Sequence, residues 1–266
     1  MAADANILIS VVMPAFNAEK TLEKSIRSVL QQKYQNLELI VVDDASTDAT
    51  YAIARELAQT DARVKVYKNV QNLGVSETRK KGIAKASGEW IALLDSDDMW
   101  DAYKLEKQCG KMKAYPECPF FFTGSAFVDE DNQPSKYTLH VPEQMTYRAL
   151  LRQNLISCSS VLIKKDLLEK FPMPKDAMLH EDYAAWLQIL RTIPYAVGID
   201  EPLLIYRLDK NSKSGNKGKA ARMQWRTYQY VGLSFVQTMG FFTSYALRSL
   251  KKYTSIHRGM RENGER

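Results

Sequence analysis

Over the first hundred residues, short apolar runs alternate with stretches in which apolar residues recur every three or four positions. Ile7 to Met13 and Leu37 to Val42 are nearly continuous apolar runs, which is typical of strands covered on both faces. Between these runs, one face of an amphipathic helix is formed by Leu22, Ile26, Val29 and Leu30. The pattern predicts two strands joined by a crossover helix, as in a parallel sheet.

The same alternation continues to residue 100. A third strand is predicted around Val64 to Val66 and a fourth at Trp90 to Leu94, with a helix from about Val75 to Ala86 between them. Ser46, Thr47 or Asp48 is expected to cap the helix that precedes the third strand. The order βαβαβαβ predicts an α/β fold with a mostly parallel, Rossmann-like nucleotide-binding sheet and helices on both faces.

Polar segments follow three of the predicted strands, at Pro14 to Asn17, Asp43-Asp44 and Asp95 to Asp98. Because doubly wound sheets bind ligands at the carboxyl ends of their strands, we expect these segments to converge. Clustered carboxylates need a cation or hydrogen-bond donors between them, and oxygen ligands favour Mg²⁺ or Mn²⁺. Such ions usually bind one or two carboxylates together with substrate phosphates, so a nucleoside diphosphate is the expected ligand.

The Asp-x-Asp pattern is weak evidence by itself, because the chain contains a second copy. Asp129-Glu130-Asp131 lies among polar residues, and we interpret it as a solvated turn. The first copy differs from it because an apolar run ends there and other polar strand ends are expected nearby. Context therefore distinguishes the two copies.

Signals of several other protein classes are absent from the sequence. Neither Gly-x-Gly-x-x-Gly nor a phosphate-binding Gly-x-x-x-x-Gly-Lys-Ser/Thr loop occurs, so a metal is expected to carry the phosphates. Cys109, Cys118 and Cys158 have no metal-ligand spacing, which predicts reduced thiols. No secretory leader is recognisable before the first apolar run. We expect a cytoplasmic protein, either free or peripheral on the inner face of the cell membrane.

The second half has a looser pattern. A helix is predicted from Glu181 to Arg191, with strands near Tyr195 to Ile199 and Leu203 to Arg207. Asp209 to Lys219 is predicted to be a mobile basic loop, and helical patterning resumes from about Ala220 to Tyr253. The domain prediction is a catalytic domain at residues 1–206, divided at 100 into nucleotide-binding and acceptor halves, a loop at 207–219 and a helical appendage at 220–266.

The net charge of +6 is unevenly distributed along the 266 residues. From Arg207 to Arg266 there are 13 Lys and Arg against 3 Asp and Glu, so the remaining body is mildly acidic. Aromatic and basic residues are interleaved in this tail, which favours binding to an anionic membrane surface. The alternative is packing against the catalytic domain or another subunit, and no nucleic-acid partner is expected.

Taken together, the motifs resemble the family 2 inverting glycosyltransferases of bacterial surface-polysaccharide synthesis, whose fold is called GT-A. The resemblance covers roughly the first 206 residues. Its segments are Val11 to Asn17, Val41 to Asp48, Asn72 to Val75, Arg79, Leu93 to Asp98 and His180 to Asp182. It implies a metal-dependent transfer from a nucleotide-sugar donor, most often a UDP-sugar, to a saccharide or a lipid-linked saccharide.

The resemblance also implies a role for individual residues. Asp95 is expected to face the ribose and Asp97 to bind Mn²⁺ or Mg²⁺, with Asp95 as a further metal ligand, whereas Asp98 has no assigned role. Asp182 is the expected catalytic base, held ionised at a helix N-terminus. The nucleotide-binding residues that it implies are Pro14, Ala15, Asn17, Asp43, Asp44, Asn72, Arg79, Asp95, Ser96 and Arg207. Arg207, with Ser212 and Ser214, would close over the diphosphate.

Two other functions stay open. A sugar nucleotidyltransferase could use a related sheet, although Pro14 to Ala18 is not its glycine-rich loop. A catalytically inactive protein that binds a nucleotide or a membrane is the second alternative. At single positions, Asp44 could be structural, Arg79 could form a surface ion pair, and Ser157 to Ser160 could border the acceptor pocket or simply begin a strand.

Overall fold

The structure, a computed structural model, describes residues 7–208 and 217–261. A mixed sheet of ten strands runs through the described residues. The strands are β1 (Ile9–Ala15), β2 (Leu37–Asp43), β3 (Val64–Lys68), β4 (Trp90–Leu93), β5 (Met99–Trp100), β6 (Phe120–Val128), β7 (Pro134–Leu139), β8 (Gln144–Met145), β9 (Leu162–Lys164) and β10 (Ala196–Arg207). The helices are α1 (Leu22–Leu30), α2 (Thr50–Thr60), α3 (Val75–Lys85), α4 (Lys104–Ala114), α5 (Tyr147–Arg152), α6 (Lys165–Lys170), α7 (Glu181–Ile189), α8 (Lys217–Tyr230) and α9 (Phe235–Arg261).

The first half of the chain forms the predicted parallel sheet, in the order β3-β2-β1-β4. Every residue of β1 and β2 is buried, as their continuous apolar patterns require for central strands. Apolar cores lie on both sides of the sheet, one including Val12 and Ile40, the other Val11 and Leu39. The prediction of an α/β fold with helices on both faces is confirmed.

The second half extends the sheet with antiparallel as well as parallel neighbours, in the order β4-β9-β6-β10-β5. The prediction of two separate strands near Tyr195 to Ile199 and Leu203 to Arg207 is wrong. They form one strand, β10, whose register on β6 shifts between Ile199 and Leu204. Gly124 of β6 lies beside this bulge, where a Cβ would come within 2.9 Å of the Glu201 carbonyl oxygen. Its missing side chain makes room for the irregular strand.

The predicted helix from Ala220 to Tyr253 is interrupted. Gly232, at φ 80°, ends α8 in the left-handed conformation that glycine adopts readily. Its N–H donates to the Gln229 carbonyl (2.9 Å), and the Leu233 N–H donates to the Tyr228 carbonyl (3.0 Å). Of the predicted loop Asp209 to Lys219, residues 209–216 lie outside the described residues, and the remaining three already belong to α8.

The tail is not a uniform appendage, because α8 is part of the main core. Met223 and Tyr228 are completely buried, and Val231 after the helix is 3% exposed. The Tyr228 hydroxyl donates to the Leu151 carbonyl at 2.5 Å, which fastens α8 to α5. Helix α8 therefore packs on the preceding domain, which was the alternative to membrane binding for this part of the tail. No helix of the described residues is long and apolar enough to cross a membrane.

Candidate functional site

Three strand ends meet at one edge of the sheet, as predicted. Ala15 pairs with Asp43 in the register of β1 and β2, and the Asp44 N–H donates to the Ala15 carbonyl at 2.8 Å. On the other side of β1, the Leu94 N–H donates to the Val12 carbonyl at 3.1 Å. Pro14 and Ala15 are buried in β1 itself. The acidic segment after Leu94 therefore begins beside the loops that follow β1 and β2.

The loops after β1 and β2 are joined by direct hydrogen bonds. Asn17, at φ 48°, donates its N–H to the Ser46 Oγ (3.0 Å) and accepts the Thr47 N–H on its Oδ1 (3.0 Å). Asparagine tolerates this left-handed conformation better than most residues. Ala45 also has a positive φ, 60°, and such strain is concentrated at functional sites.

Of the predicted caps of α2, the structure favours Asp48 over Ser46 and Thr47, because the helix begins later than those two residues would place it. α2 starts at Thr50, whose N–H donates to Asp48 Oδ1 at 3.0 Å. Ser46 Oγ is engaged by the Asn17 N–H instead. Ser46 therefore stabilises the junction of the two loops, and Asp48 accepts the hydrogen bond at the start of α2.

Asp43 carries a buried oxygen that lacks a hydrogen-bond partner. Its side chain is completely buried, and Oδ2 accepts the Ser46 N–H at 3.2 Å and lies 3.8 Å from Lys68 Nζ. Oδ1 has no partner. A buried unpaired acceptor is costly unless a donor reaches it, so a ligand N–H is a suitable partner at this strand end.

Asp44 organises the neighbouring loop. Its Oδ1 accepts from Asn69 Nδ2 (2.8 Å) and the Leu73 N–H (2.9 Å), and its Oδ2 accepts the Gly74 N–H (2.8 Å). Burial raises the pKa of Asp44, but these hydrogen bonds outweigh burial and lower it overall. Asn72, exposed in the same loop, accepts the Gly74 N–H on its Oδ1 at 3.2 Å. Both oxygens of Asp44 are engaged by the protein, which supports the structural interpretation of this residue.

Arg79 is a buried cation between two acidic segments. It is 4% exposed, so the alternative of a surface ion pair is wrong. Nη2 contacts Asp95 Oδ1 at 2.5 Å, and Nη1 lies 3.7 Å from Glu181 Oε1. Burial lowers the pKa of Arg79, but Asp95 and Glu181 among other negative neighbours raise it well above its usual value. Arg79 therefore stays charged and joins the acidic end of β4 to the start of α7.

Three hydroxyl side chains hold the backbone of the acidic loop after β4. The Ser96 carbonyl accepts from Thr21 Oγ1 (2.8 Å) and Ser25 Oγ (2.9 Å), which anchors the loop to α1. The Asp95 N–H donates to Ser159 Oγ at 3.0 Å. Sequence reasoning missed Thr21 and Ser25, whose spacing of four on a helix is too common to be a signal. Ser159, a candidate for the border of the acceptor pocket, holds the backbone of Asp95 through this hydrogen bond.

Asp98, which had no assigned role, is a buried structural residue. It is 2% exposed, and its Oδ1 accepts the Arg207 N–H at 3.0 Å. Burial raises the pKa of Asp98 well above its usual value, and the negative charges of Asp97 and Asp95 raise it further. Asp98 therefore ties the acidic loop to the end of β10.

Arg207 braces the two Asp-x-Asp segments against each other. Its Nε donates to the Asp97 carbonyl (3.1 Å), and its Nη1 donates to the Asp129 (3.2 Å) and Glu130 (3.0 Å) carbonyls. Nη2 donates to Asn132 Oδ1 at 2.5 Å. We call these contacts the Arg207 brace. The guanidinium faces protein oxygens on several sides, and its nucleotide-binding role stays a prediction.

Asp182 lies in the first turn of α7, close to the Arg79 ion pairs. Burial, with a smaller contribution from the negative charge of Glu181, raises its pKa to about 6, and Arg79 opposes the rise. Its Oδ1 accepts the Tyr183 N–H at 2.7 Å. The preceding His180 donates its N–H to Thr227 Oγ1 of α8 at 3.1 Å. A carboxylate with this pKa is mostly ionised at neutral pH yet basic enough to accept a proton.

The described residues contain no group of three or more His, Cys, Asp or Glu side chains arranged to hold a metal. Mg²⁺ and Mn²⁺ usually take one or two carboxylates from a protein and the rest of their ligands from substrate phosphates. Asp97 and Asp95 are hard oxygen donors of the right kind, and both are partly exposed.

Carboxylates follow a strand at the carboxyl edge of the parallel sheet, and Arg79 joins them to the start of α7, as the resemblance to GT-A glycosyltransferases leads us to expect. The chain belongs to glycosyltransferase family 2: the family model described as "Glycosyl transferase family 2" matches residues 10–171. The predicted family and enzyme class are thereby confirmed.

Relatives match over nearly the full length. The chain is 37% identical over 246 residues to the Bacillus subtilis protein TuaG, a glycosyltransferase assigned to teichuronic acid biosynthesis, covering 92% of this chain and 97% of TuaG. It is 37% identical over 220 residues to WfgD of Escherichia coli, named a UDP-Glc:alpha-D-GlcNAc-diphosphoundecaprenol beta-1,3-glucosyltransferase, covering 82% of this chain and 84% of WfgD.

Solved structures of low identity share the fold. TarS 1-349 of S. aureus, in complex with UDP-GlcNAc, superposes with a TM-score of 0.70 at 17% identity, covering 90% of this chain and 72% of that chain. The mannosyltransferase PcManGT of Pyrobaculum calidifontis, in complex with GDP-Man and Mn²⁺, gives a TM-score of 0.67 at 19% identity, covering 89% and 68%.

Proposed function

We propose that the protein transfers a sugar from a UDP-sugar to a lipid-linked saccharide, with inversion at the anomeric carbon, in the synthesis of a cell-surface polysaccharide. The observation that carries the proposal is the Arg79 bridge, which fixes Asp95 and Glu181 to one guanidinium. One arginine therefore holds both Asp95, on the donor side of the proposed site, and Glu181, the residue next to the candidate base Asp182. The name of WfgD, with its UDP-sugar and diphosphoundecaprenol acceptor, supports this substrate class.

In the proposed reaction, Asp182 accepts the proton of an acceptor hydroxyl. The hydroxyl oxygen forms a bond to the anomeric carbon while the bond from that carbon to the diphosphate oxygen breaks, in a single displacement. Mg²⁺ or Mn²⁺, bound through Asp97 and Asp95, would supply positive charge for the leaving diphosphate. The raised pKa of Asp182, about 6, suits a base that works near neutral pH.

The nucleotide would lie in the loops after β1, β2 and β3. The unpartnered Oδ1 of Asp43 is placed to accept an N–H of the base. Asn17 and Asn72 are exposed at the rim. Pro14 and Ala15 would form the floor of the nucleotide site. Asp44 and Ser96 would contribute by fixing the surrounding loops.

The two Asp-x-Asp segments provide a matched test of metal and donor binding. We expect Asp97→Ala to lower Mn²⁺-dependent release of UDP by roughly a hundredfold or more, because a metal ligand is lost. Asp131→Ala makes the same change in the exposed turn of the second copy and should leave the rate unchanged. Release is measured over a panel of UDP-sugars, with a saccharide on a lipid diphosphate as acceptor.

Each part of the proposal has its own contrary result. Equal rates for the Asp97→Ala and Asp131→Ala variants would show that Asp97 binds no essential metal. Retention of the donor anomer in the product, seen by NMR, would contradict inversion. No release of UDP from any donor would favour an inactive nucleotide-binding protein.

A further inference from the structure

Helix α9 presents apolar residues on two opposite faces, and the domain covers only one of them. On the inner face, Thr238 is completely buried. The Phe242 ring lies 5.5 Å from the Trp225 ring of α8, and the Tyr245 ring lies 6.2 Å from the Tyr183 ring of α7. These contacts fix the orientation of the helix on the domain.

The outer face is apolar and exposed. Val236 is 79% exposed, Met239 48% and Leu247 66%. Spacings of three, four and eight place these residues on one side of the helix, together with exposed Gly240 and Thr243. A Cβ added at Gly240 would have no atom within 4 Å. We call this surface the outer α9 face.

The charge of α9 identifies the kind of partner. The helix contains five Lys and Arg residues and no Asp or Glu. Arg248, next to Leu247, is exposed. A second copy of the chain docking through the same face would bring two basic helices together, which costs electrostatic energy. An apolar stripe on a helix whose charged residues are all basic is instead suited to the interface of an anionic lipid bilayer.

The position of α9 connects this surface to the catalytic segment. Its Tyr245 contacts Tyr183, which directly follows Asp182. The neighbouring α8 is hydrogen-bonded to His180 through Thr227. A bilayer against the outer α9 face would therefore lie one helix layer away from the candidate base.

We propose that the outer α9 face docks on an anionic membrane and brings the site to acceptors held in that membrane. The reason for docking rests on the proposed function, because it assumes a lipid-linked acceptor. The prediction that this face binds a membrane rests only on the exposure and helical spacing of its apolar residues and on the charge of α9. The two can therefore be tested separately.

The test is vesicle flotation with the full-length chain and no substrate. Vesicles are made of phosphatidylcholine alone or of phosphatidylcholine mixed with phosphatidylglycerol. We expect the wild-type chain to float with the anionic vesicles, and the combined variant Val236→Ser, Met239→Ser and Leu247→Ser to lose roughly tenfold or more in affinity. High salt should weaken wild-type binding, because the basic residues contribute through screened charge.

A matched pair of single substitutions controls for surface apolarity in general. Val236→Ser should weaken binding, whereas Val70→Ser, at a valine that is 102% exposed outside the tail, should not. All these side chains are exposed, and thermal unfolding checks that each variant is folded.

The outcomes separate this proposal from the proposed function. Failure of the wild-type chain to float, or unchanged flotation of the combined variant, overturns membrane docking through this face. A change in sedimentation to a smaller species with unchanged flotation assigns the face to a second copy and also overturns it. UDP release without vesicles is measured in parallel, so loss of activity and loss of docking are seen independently.

Discussion

At the scale of single residues, the site depends on how buried charges are balanced. Arg79 is buried and Asp182 is partly buried, both near Glu181, but the consequences for their charges are opposite. Negative neighbours, Asp95 foremost, outweigh the burial of Arg79 and keep it charged. Burial and Glu181 together make the ionised form of Asp182 less stable than it is in water. Arg79 therefore keeps its positive charge, whereas Asp182 carries a negative charge only above its raised pKa.

The raised pKa of Asp182 predicts the pH dependence of transfer. The base acts in its ionised form, so kcat/KM should fall as the pH is lowered through about 6. Glu181→Gln removes a negative neighbour that raises this pKa, so the acid limb should move to lower pH. Asp182→Asn should reduce the rate by about a hundredfold or more at every pH. The profiles are measured by UDP release with saturating metal.

The same shift has a consequence for stability. The folded-state pKa of Asp182 lies above its unfolded value, so ionisation destabilises the fold as the pH rises through about 6. Asp182→Asn should therefore raise the melting temperature above this pH and have little effect well below it. An Asp182→Asn variant that is inactive but less stable at all pH values would show that the carboxylate has a structural role instead.

At the scale of elements, the Arg207 brace predicts an effect on metal affinity from outside the metal site. Asn132, at φ 63°, accepts a hydrogen bond from Arg207, which in turn holds the Asp97 carbonyl. Asn132→Gly removes the acceptor while glycine keeps the positive φ without strain. We expect the Mn²⁺ concentration for half-maximal UDP release to rise by roughly threefold to tenfold, since one charge-assisted hydrogen bond is lost.

The control for the brace is Asn132→Asp, which retains an oxygen acceptor opposite the guanidinium. It should keep the metal dependence of the wild-type chain. If Asn132→Gly leaves the Mn²⁺ titration unchanged, Arg207 does not position Asp97, and its predicted contact with the diphosphate becomes the better explanation for the residue.

The elements that could be predicted from the sequence are those with local signals. Strands β1, β2 and β4 are nearly continuous apolar runs, and each is followed directly along the chain by a polar segment. The Arg207 brace could not be predicted, because its partners lie 75 to 110 residues away and most are backbone carbonyls, which any residue supplies. The bulge in β10 was missed for a related reason: its two halves pair with β6 in different registers, and only the pairing shows that they are one strand.

At the scale of the whole molecule, we propose that the catalytic domain extends beyond residue 206 and includes α8. The apolar pattern of the tail indicated helices, but a helical pattern does not say which surface it covers. The structure shows α8 inside the main core and the outer α9 face exposed. We therefore propose that the tail has two roles: its first helix completes the fold, and its second helix docks on a membrane.

Two truncations test this division. A chain ending at Ser234 lacks α9 and loses its ring contacts with Trp225 and Tyr183, so we expect a lower melting temperature but cooperative unfolding and continued UDP release. A chain ending at residue 216 also loses α8 and with it the buried Tyr228. Removal of one large buried aromatic side chain costs about 3–5 kcal/mol, a large part of a typical stability of about 5–15 kcal/mol. Thermal unfolding followed by near-ultraviolet circular dichroism should therefore show no cooperative transition for the shorter chain. A cooperative transition of the shorter chain would support the predicted domain boundary near residue 206 and show that α8 is not needed for cooperative folding.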